Sequence, residues 1–326
     1  MAGVTLDHRR PGMRVRRWMR RTVIAASALA LACGGLVASW LAGVHLPLVS
    51  GRTYVEITKL DRAGYSGQAD GAVFIALIGS DYRPGVGGER GDAIHVLALN
   101  PDLGQGTILN FPRDTCVPVP GRGTTRINTA HSEGGPRLTG EVLASVTGAP
   151  IEYAVSVDFA GFIGIVDGVG GVEMNNPIPM SDGAYSGANF PTGPLHLNGG
   201  EALAYARDRH DFGVGDIQRT WNQGFLITSA LRELRRDFES PSARFRLLAL
   251  LARHAKISGA GLSDLYRLGQ AAYEVRPSDI KNLSVPTTGG GCLTLGSEAL
   301  GVFADFADDG VLQTHAGGAP DNPTGR

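Results

Sequence analysis

Between Thr22 and Gly51 the chain carries no Asp, Glu, Lys or Arg, and this run, TVIAASALALACGGLVASWLAGVHLPLVSG, constrains its architecture more than any other feature. A bilayer core takes roughly 20 apolar residues as a helix, so residues 23–49 are long enough to form a transmembrane anchor. Arg9, Arg10, Arg14, Arg16, Arg17, Arg20 and Arg21 crowd ahead of the run against the single acid Asp7. The positive-inside bias therefore predicts residues 1–22 as a basic cytoplasmic leader and places the rest of the chain outside the cell membrane, single-pass. A cleaved signal peptide would use the small residues near Ala30–Ala32, but apolar sequence continues through Trp40, Leu41 and Leu46, which favours a retained anchor. Cys33 then counts as one more small residue of that anchor.

Charge supports the same division. The formal net charge is −1, yet beyond the leader the chain holds 23 Lys and Arg against 30 Asp and Glu, so the part after the anchor is acidic. A nucleic-acid binder carries its basic charge as a stripe on the folded domain, so nucleic acid is excluded as the expected partner. Residues 50–71 lack a sustained hydrophobic period and read as a linker. Residues 72–313 read as one extracytoplasmic domain, and 314–326, rich in Gly and Pro, as a disordered tail.

Within the domain, Val73–Gly79, Ala93–Leu99 and Thr107–Phe111 are short apolar or alternating runs bounded by turn residues, the pattern of strands. Ile151–Val157 and Ile280–Val285 are further strands. Gly140–Val146, Phe159–Val166, Gly200–Arg207, Thr220–Asp237, Ala243–His254 and Leu262–Tyr273 carry helical spacing, with Leu226, Ala230, Leu231 and Leu234 on one face. Alternating strands and helices predict an α/β layered fold. Cys116 and Cys292 lie far apart in the chain, and the sequence leaves open whether they form a disulfide or stay as two buried thiols. Neither has a companion Cys or His at metal-ligand spacing.

Four clusters of Arg and Asp sit at predicted element ends: Asp81-Tyr-Arg83, Arg90-Gly-Asp92, Arg113-Asp114 and Arg207-Asp-Arg209. A guanidinium is a planar fork suited to phosphate oxygens, and carboxylates are hard ligands suited to Mg²⁺. Any one cluster alone is an ordinary solvated loop or ion pair. Four of the same composition describe a diphosphate site. His210 beside Arg209 reads as an exposed loop histidine, His95 as a strand residue without metal-ligand spacing, and Asn128, Asp158 and Asp167 as structural groups fixing turns and strand ends. The apolar faces of Phe225–Leu234 and Phe245–Leu251 are candidates to line a lipid groove.

In order along residues 72–235, Gly79-Ser-Asp-Tyr-Arg83, Arg90-Gly-Asp92, Pro112-Arg-Asp-Thr115, Arg126-Ile-Asn128, Gly134-Gly-Pro136, Val157-Asp-Phe159, Val169-Gly-Gly-Val-Glu173, Gly199–Arg207 and Asp216–Gln223 resemble the pattern of the LytR-CpsA-Psr family. The resemblance implies a central mixed β-sheet flanked by helices after one N-terminal transmembrane helix. It also implies an activity, the transfer of a glycopolymer from a polyprenyl diphosphate carrier to peptidoglycan, at the 6-hydroxyl of N-acetylmuramic acid. By the same resemblance Asp81 and Asp92 hold Mg²⁺ or Mn²⁺, while Arg83, Arg113, Arg207, Arg209 and Arg219 contact phosphate, with Gln223 at the same site. Asp114 either orients Arg113, takes a proton from the attacking hydroxyl, or caps a turn with Thr115. Two alternative activities share these residues: hydrolysis of polyprenyl diphosphates, and binding of lipid-linked glycan by a non-catalytic envelope regulator. The chain departs from the family pattern at Ala93, where a hydroxyl is lost, and at Asn222, where many members carry Arg.

Overall fold

The computed structural model describes residues 55–61, 71–81, 90–210, 215–238 and 255–313. The leader, the anchor expected at 23–49, Arg83, the helix expected at Ala243–His254 and the tail 314–326 lie outside the described residues. Among those described, no helix is long and apolar enough to cross a membrane.

Side chains along a strand alternate between its two faces, and the strand Val73–Ser80 (β2) uses this to serve two cores at once. Phe74, Ala76 and Ile78 pack toward helices Asn128–Thr147 (α1) and Ser297–Phe306 (α6). Val73, Ile75 and Leu77 pack on the opposite face with Ile227, Leu231 and Leu268 of Asp216–Phe238 (α4) and Leu262–Glu274 (α5). The remaining strands of the central sheet are Val55–Lys59 (β1), Gly91–Asn100 (β3), Gln105–Phe111 (β4), Tyr153–Asp158 (β7), Ala255–Ser258 (β10) and Ile280–Ser284 (β11). Its seven strands run in the order β10-β1-β7-β2-β3-β4-β11. Pairs β1/β10, β2/β7 and β4/β11 are parallel and the others antiparallel, so the sheet is mixed.

A third cluster joins helices Phe159–Gly168 (α2) and Gly199–Arg207 (α3) to the hairpin of Val172–Asn176 (β8) and Gly193–Leu197 (β9), with Leu226 of α4 completing it. Local chemistry fixes both helices. The Asp158 carboxylate accepts the Gly161 N–H at 2.8 Å and caps α2. At α3, Asn198 and Glu201 form a capping box with bonds of 3.0 and 2.9 Å. Asp167 accepts the Gly199 N–H at 2.7 Å, joining the two helices. Asp158 and Asp167 thus have the structural roles expected of them.

Two expectations are corrected. Residues 50–71 are not simply a linker, because Val55–Lys59 is a strand in the interior of the sheet, paired with β7 and β10. Five residues are too short to show a period, and the partners lie about 100 and 200 residues away, so only tertiary pairing identifies this strand. Helix α1 begins at Asn128 rather than Gly140, with a break at Gly134 and Gly135, whose φ is +61°, before Pro136 restarts it. Cys116 and Cys292 form a disulfide, which ties strand Cys116–Val119 (β5) to the loop ahead of α6. Two main-chain bonds reinforce the tie, Cys116 N–H to the Leu293 carbonyl at 2.7 Å and Leu293 N–H to the Asp114 carbonyl at 3.0 Å.

Candidate active site

The site grows from an irregularity at one end of the β2/β3 pair. Register runs regularly from Val73 opposite Leu99 to Gly79 opposite Ala93, and then Ser80 faces Gly91, which leaves Asp92 as an extra residue on β3. A bulge of this kind bends its strand and re-aims the extra side chain. Close approach makes the glycine at position 79 necessary, since a Cβ there would stand 2.9 Å from the Ala93 Cβ. Asp92 is turned toward Arg113, whose Nη1 donates to Asp92 Oδ1 at 2.7 Å. Arg113 follows β4 in a tight turn that Thr115 closes, its N–H and Oγ1 both donating to the Pro112 carbonyl at 3.0 and 2.7 Å.

Helix α4 brings the second guanidinium. Arg219 Nη2 lies 2.5 Å from Asp216 Oδ1 in the first turn and donates to the Asp92 carbonyl oxygen at 3.1 Å. Asp216 Oδ1 also stands 3.8 Å from Arg113 Nε, so one carboxylate links both arginines. For Arg113, burial favours loss of the proton, but the hydrogen bond and charge of Asp92, with Asp216 and Asp114, more than offset it and raise the pKa. For Arg219, burial dominates and lowers the pKa, with Arg113 and Arg209 adding to it and Asp216 and Asp92 opposing. Both guanidinium groups remain charged at neutral pH, since arginine starts from so high a value.

These groups edge a cavity of about 440 Å³ between the sheet and helices α2, α3 and α4. Leu77, Val155, Val157, Phe162, Leu226 and Ile227 form much of its wall, while Asp92, Arg113, Arg207, Arg209, Arg219 and Gln223 supply polar groups. Arg207, at the end of α3, is stacked over the Phe159 ring with its Cζ 5.3 Å from the centroid. Gln223, one turn beyond Arg219, donates from Nε2 to the Ala206 carbonyl at 2.8 Å. A cavity with an apolar wall and a cationic edge accommodates an amphiphile whose polar part is anionic.

His95 contributes a neutral acceptor to the same cavity. Asn110 Nδ2 donates to Asn282 Oδ1 at 2.6 Å and to the Leu283 carbonyl at 3.1 Å, so its Oδ1 must face His95 Nδ1, 2.7 Å away. A main-chain carbonyl cannot act as a donor, and this assigns His95 as the Nδ1–H tautomer with a lone pair on Nε2. Among the described residues neither His95 Nε2 nor Gln223 Oε1 meets a hydrogen-bond donor. Burial lowers the His95 pKa to about 4, against the opposing effects of Asn110 and Gln223 and with a further lowering from Arg219.

Of the residues assigned to the site from the sequence, six line this cavity: Asp92, Arg113, Arg207, Arg209, Arg219 and Gln223; His95, His210 and Asp158, read from the sequence as incidental or structural, line it too. Asp81 sits beside it at the end of β2, exchanging main-chain and side-chain bonds with Arg90 at 3.0 and 2.9 Å. The Asp114 carboxylate is not among the groups lining the cavity and lies 3.4 Å from Arg126, while its charge acts on Arg113 beside it. Arg83 belongs to the undescribed segment. Asn222 is buried and accepts the Gln218 amide at 2.9 Å, away from the cavity lining. Of the proposed lipid-groove residues, Leu226 and Ile227 line the cavity, and Phe245–Leu251 lies outside the described residues.

Sequence reasoning did not assign roles to Asp216, Asp182 or Tyr185, and treated His95 and His210 as incidental. Asp216 had a local signal, an Asp three residues ahead of an Arg at the start of a helical pattern. His210 is not a simple loop residue, for its Nδ1 lies 3.1 and 3.0 Å from the two carboxylate oxygens of Asp182, and no local pattern announces a partner 28 residues away.

The fold and the site together define a class: an α/β protein that gathers guanidinium and carboxylate groups at strand and helix ends over an apolar cavity. The profile of the LytR_cpsA_psr family matches residues 50–302, and the chain belongs to that family. Among its relatives is the polyisoprenyl-teichoic acid–peptidoglycan teichoic acid transferase TagU of Oceanobacillus iheyensis, 34% identical over 191 residues, covering 57% of this chain and 58% of that protein's length. The same-named protein of Bacillus cereus is 31% identical over 219 residues, covering 65% of this chain and 67% of its own. A solved LytR-Csp2A-Psr enzyme from Actinomyces oris superposes with a TM-score of 0.62 at 27% identity, over 76% of this chain and 93% of that one.

Proposed function

We propose that this protein is a phosphotransferase that attaches a polyprenyl-diphosphate-linked glycopolymer to peptidoglycan at the outer face of the cell membrane. The observation that carries the reading is the cavity itself, with apolar side chains from the sheet, α2 and α4 and with Arg113, Arg207, Arg209 and Arg219 gathered at one site. A polyprenyl diphosphate has that same division between hydrocarbon and dense negative charge. The relatives named for teichoic acid transfer to peptidoglycan support the assignment. The 6-hydroxyl of N-acetylmuramic acid is the acceptor atom in this reading.

Chemistry follows from electrostatics. Phosphoryl transfer needs little covalent help from a protein, so positioning and charge stabilisation supply most of the catalysis. Arg113 and Arg219, held by Asp92 and Asp216, enter the reaction already oriented. Arg207 and Arg209 extend the positive field toward the phosphate that leaves with the lipid. Among the described residues no group of three or more His, Cys, Asp or Glu forms a complete metal cage. Two carboxylates, Asp81 just past β2 and Asp92 on β3, suit Mg²⁺ or Mn²⁺ nonetheless, because such ions bind through one or two carboxylates plus the substrate's own phosphate oxygens. When bound, the ion neutralises diphosphate charge.

Residues 1–22 face the cytoplasm in this reading, 23–49 anchor the chain, and the domain acts outside. The Cys116–Cys292 disulfide supports an oxidising location. The test is to incubate the purified full chain with Mg²⁺, peptidoglycan fragments and a panel of polyprenyl-diphosphate glycans, and to look for glycan covalently joined to peptidoglycan. Joined product is expected for at least one donor, with Arg113→Ala and Asp92→Ala folded but inactive. Release of phosphate with no joined glycan would replace the transferase with a phosphatase, and wild-type activity in either variant would overturn the site.

A further inference from the structure

In the lining of the same cavity a second constellation adjoins Arg207 and Arg209: Asp182, Tyr185 and His210. Asp182 is only 4% exposed and sits at the head of a turn, where its carbonyl accepts the N–H groups of Tyr185, Ser186 and Gly187 at 3.2, 3.0 and 3.2 Å. That turn fixes the carboxylate under the His210 ring, with both oxygens within 3.1 Å of Nδ1. An ionised carboxylate only accepts, so His210 Nδ1 carries a proton, and in the neutral ring Nε2 presents a lone pair. Burial opposes ionisation of Asp182, but the hydrogen bond and charge of His210, with Ser186 and the Arg209 backbone, outweigh it and hold the carboxyl below its ordinary pKa. Tyr185 lies against the His210 ring with centroids 4.2 Å apart, yet is 71% exposed.

A buried carboxylate that fixes the tautomer and direction of an imidazole is the arrangement by which hydroxyl nucleophiles are activated. An exposed aromatic ring beside it gives a flat apolar surface with a polar tip, which suits the face of a sugar. Arg207 and Arg209, three residues and one residue upstream of His210, lie in the same cavity, so a hydroxyl held by His210 adjoins the cationic part of the site. We propose that Asp182, Tyr185 and His210 form the acceptor side of the site, where a sugar ring rests on Tyr185 and His210 Nε2 takes the proton of the attacking hydroxyl.

The inference rests on the transferase reading above. As the acceptor oxygen bonds to the glycan-side phosphorus, its proton passes to His210 Nε2. The bond from that phosphorus to the bridging oxygen breaks, and polyprenyl monophosphate leaves with the electron pair. The imidazolium then returns its proton to the departing phosphate. Asp182 is a positioning residue, while His210 and Tyr185 touch the acceptor.

The experiment measures acceptor-dependent release of polyprenyl phosphate by the full chain, using a polyprenyl-diphosphate-linked disaccharide as donor and peptidoglycan fragments as acceptor. His210→Gln is expected to bind the donor as the wild type does and to lose kcat by about 10²-fold or more, the scale of general base catalysis. Added imidazole is expected to restore part of the rate to His210→Gly, an effect that a merely structural histidine would not produce. Tyr185→Ala is expected to raise the acceptor KM about tenfold, the scale of one lost aromatic contact. Unchanged kcat in His210→Gln while the wild type transfers glycan overturns this inference alone. No transfer by the wild type with any donor overturns the transferase reading, and this inference with it.

Discussion

Acid should destabilise this fold through a single buried histidine. His95 is 2% exposed and its pKa lies near 4 in the folded chain, against 6.5 for a free imidazole. Above pH 6.5 the ring is neutral in both states and its whole contribution to stability is present. As pH falls below 6.5 the unfolded chain binds a proton that the folded chain refuses, and stability declines until the folded ring also protonates near pH 4. A gap of about 2.5 pKa units at 1.36 kcal/mol each amounts to about 3 kcal/mol. Carboxylates also contribute in acid, so the informative quantity is the difference between the wild type and His95→Met, which fills similar space without a titrating group.

The variant leaves Asn110 Oδ1 without its donor and is expected to be less stable at pH 7 by about 1–3 kcal/mol, the cost of an orphaned buried acceptor. That deficit does not depend on pH. By pH 4 the wild type should have lost about 3 kcal/mol more than the variant, so the gap closes or reverses. Urea unfolding of the full chain, followed by fluorescence of the buried Trp221, measures both curves. Parallel curves from pH 7 to pH 4 would show that His95 is not held neutral by its surroundings and refute the reasoning.

Two further tests probe the frame of the site. Asp216→Asn removes the carboxylate shared by Arg113 and Arg219, and loss of orientation is expected to lower kcat by about 10²-fold without weakening donor binding, since the site becomes more positive; steady-state kinetics with kcat within about twofold of wild type would count against a shared positioning role. Replacing Cys116 and Cys292 by Ser opens a link across a sequence separation of 176 and is expected to cost about 2–5 kcal/mol, read as a lower urea midpoint, whereas an unchanged midpoint would mean that the main-chain bonds around Leu293 hold this region without the bridge.

The legible parts of this protein are those encoded within a few residues of themselves. Val73–Gly79, Ala93–Leu99 and Thr107–Phe111 announce themselves as strands because each buries a continuous apolar or alternating run and stops at charge. Arg207, Arg209, Arg219 and Gln223 stand out because their spacing places them at one helix end or on one helix face. Val55–Lys59, by contrast, becomes a strand only through partners supplied by distant segments.

The same holds for the details that shape the site. Asp92 points into the cavity because of a bulge, and a bulge is a property of register between two strands rather than of either strand. Asp114 follows Arg113 in sequence, yet its carboxylate lies beside Arg126 and is not among the groups lining the cavity. The state of His95 depends on Asn110, Asn282 and the Leu283 carbonyl, and that of His210 on Asp182. Sequence by itself therefore determined which residue types are available and which elements carry them, because periodicity and turn chemistry act locally. Tertiary structure alone decided which charges meet, which carboxylate holds which guanidinium and which imidazole nitrogen is left open, because a hydrogen bond or ion pair acts over a few ångströms of space however many residues lie between its partners.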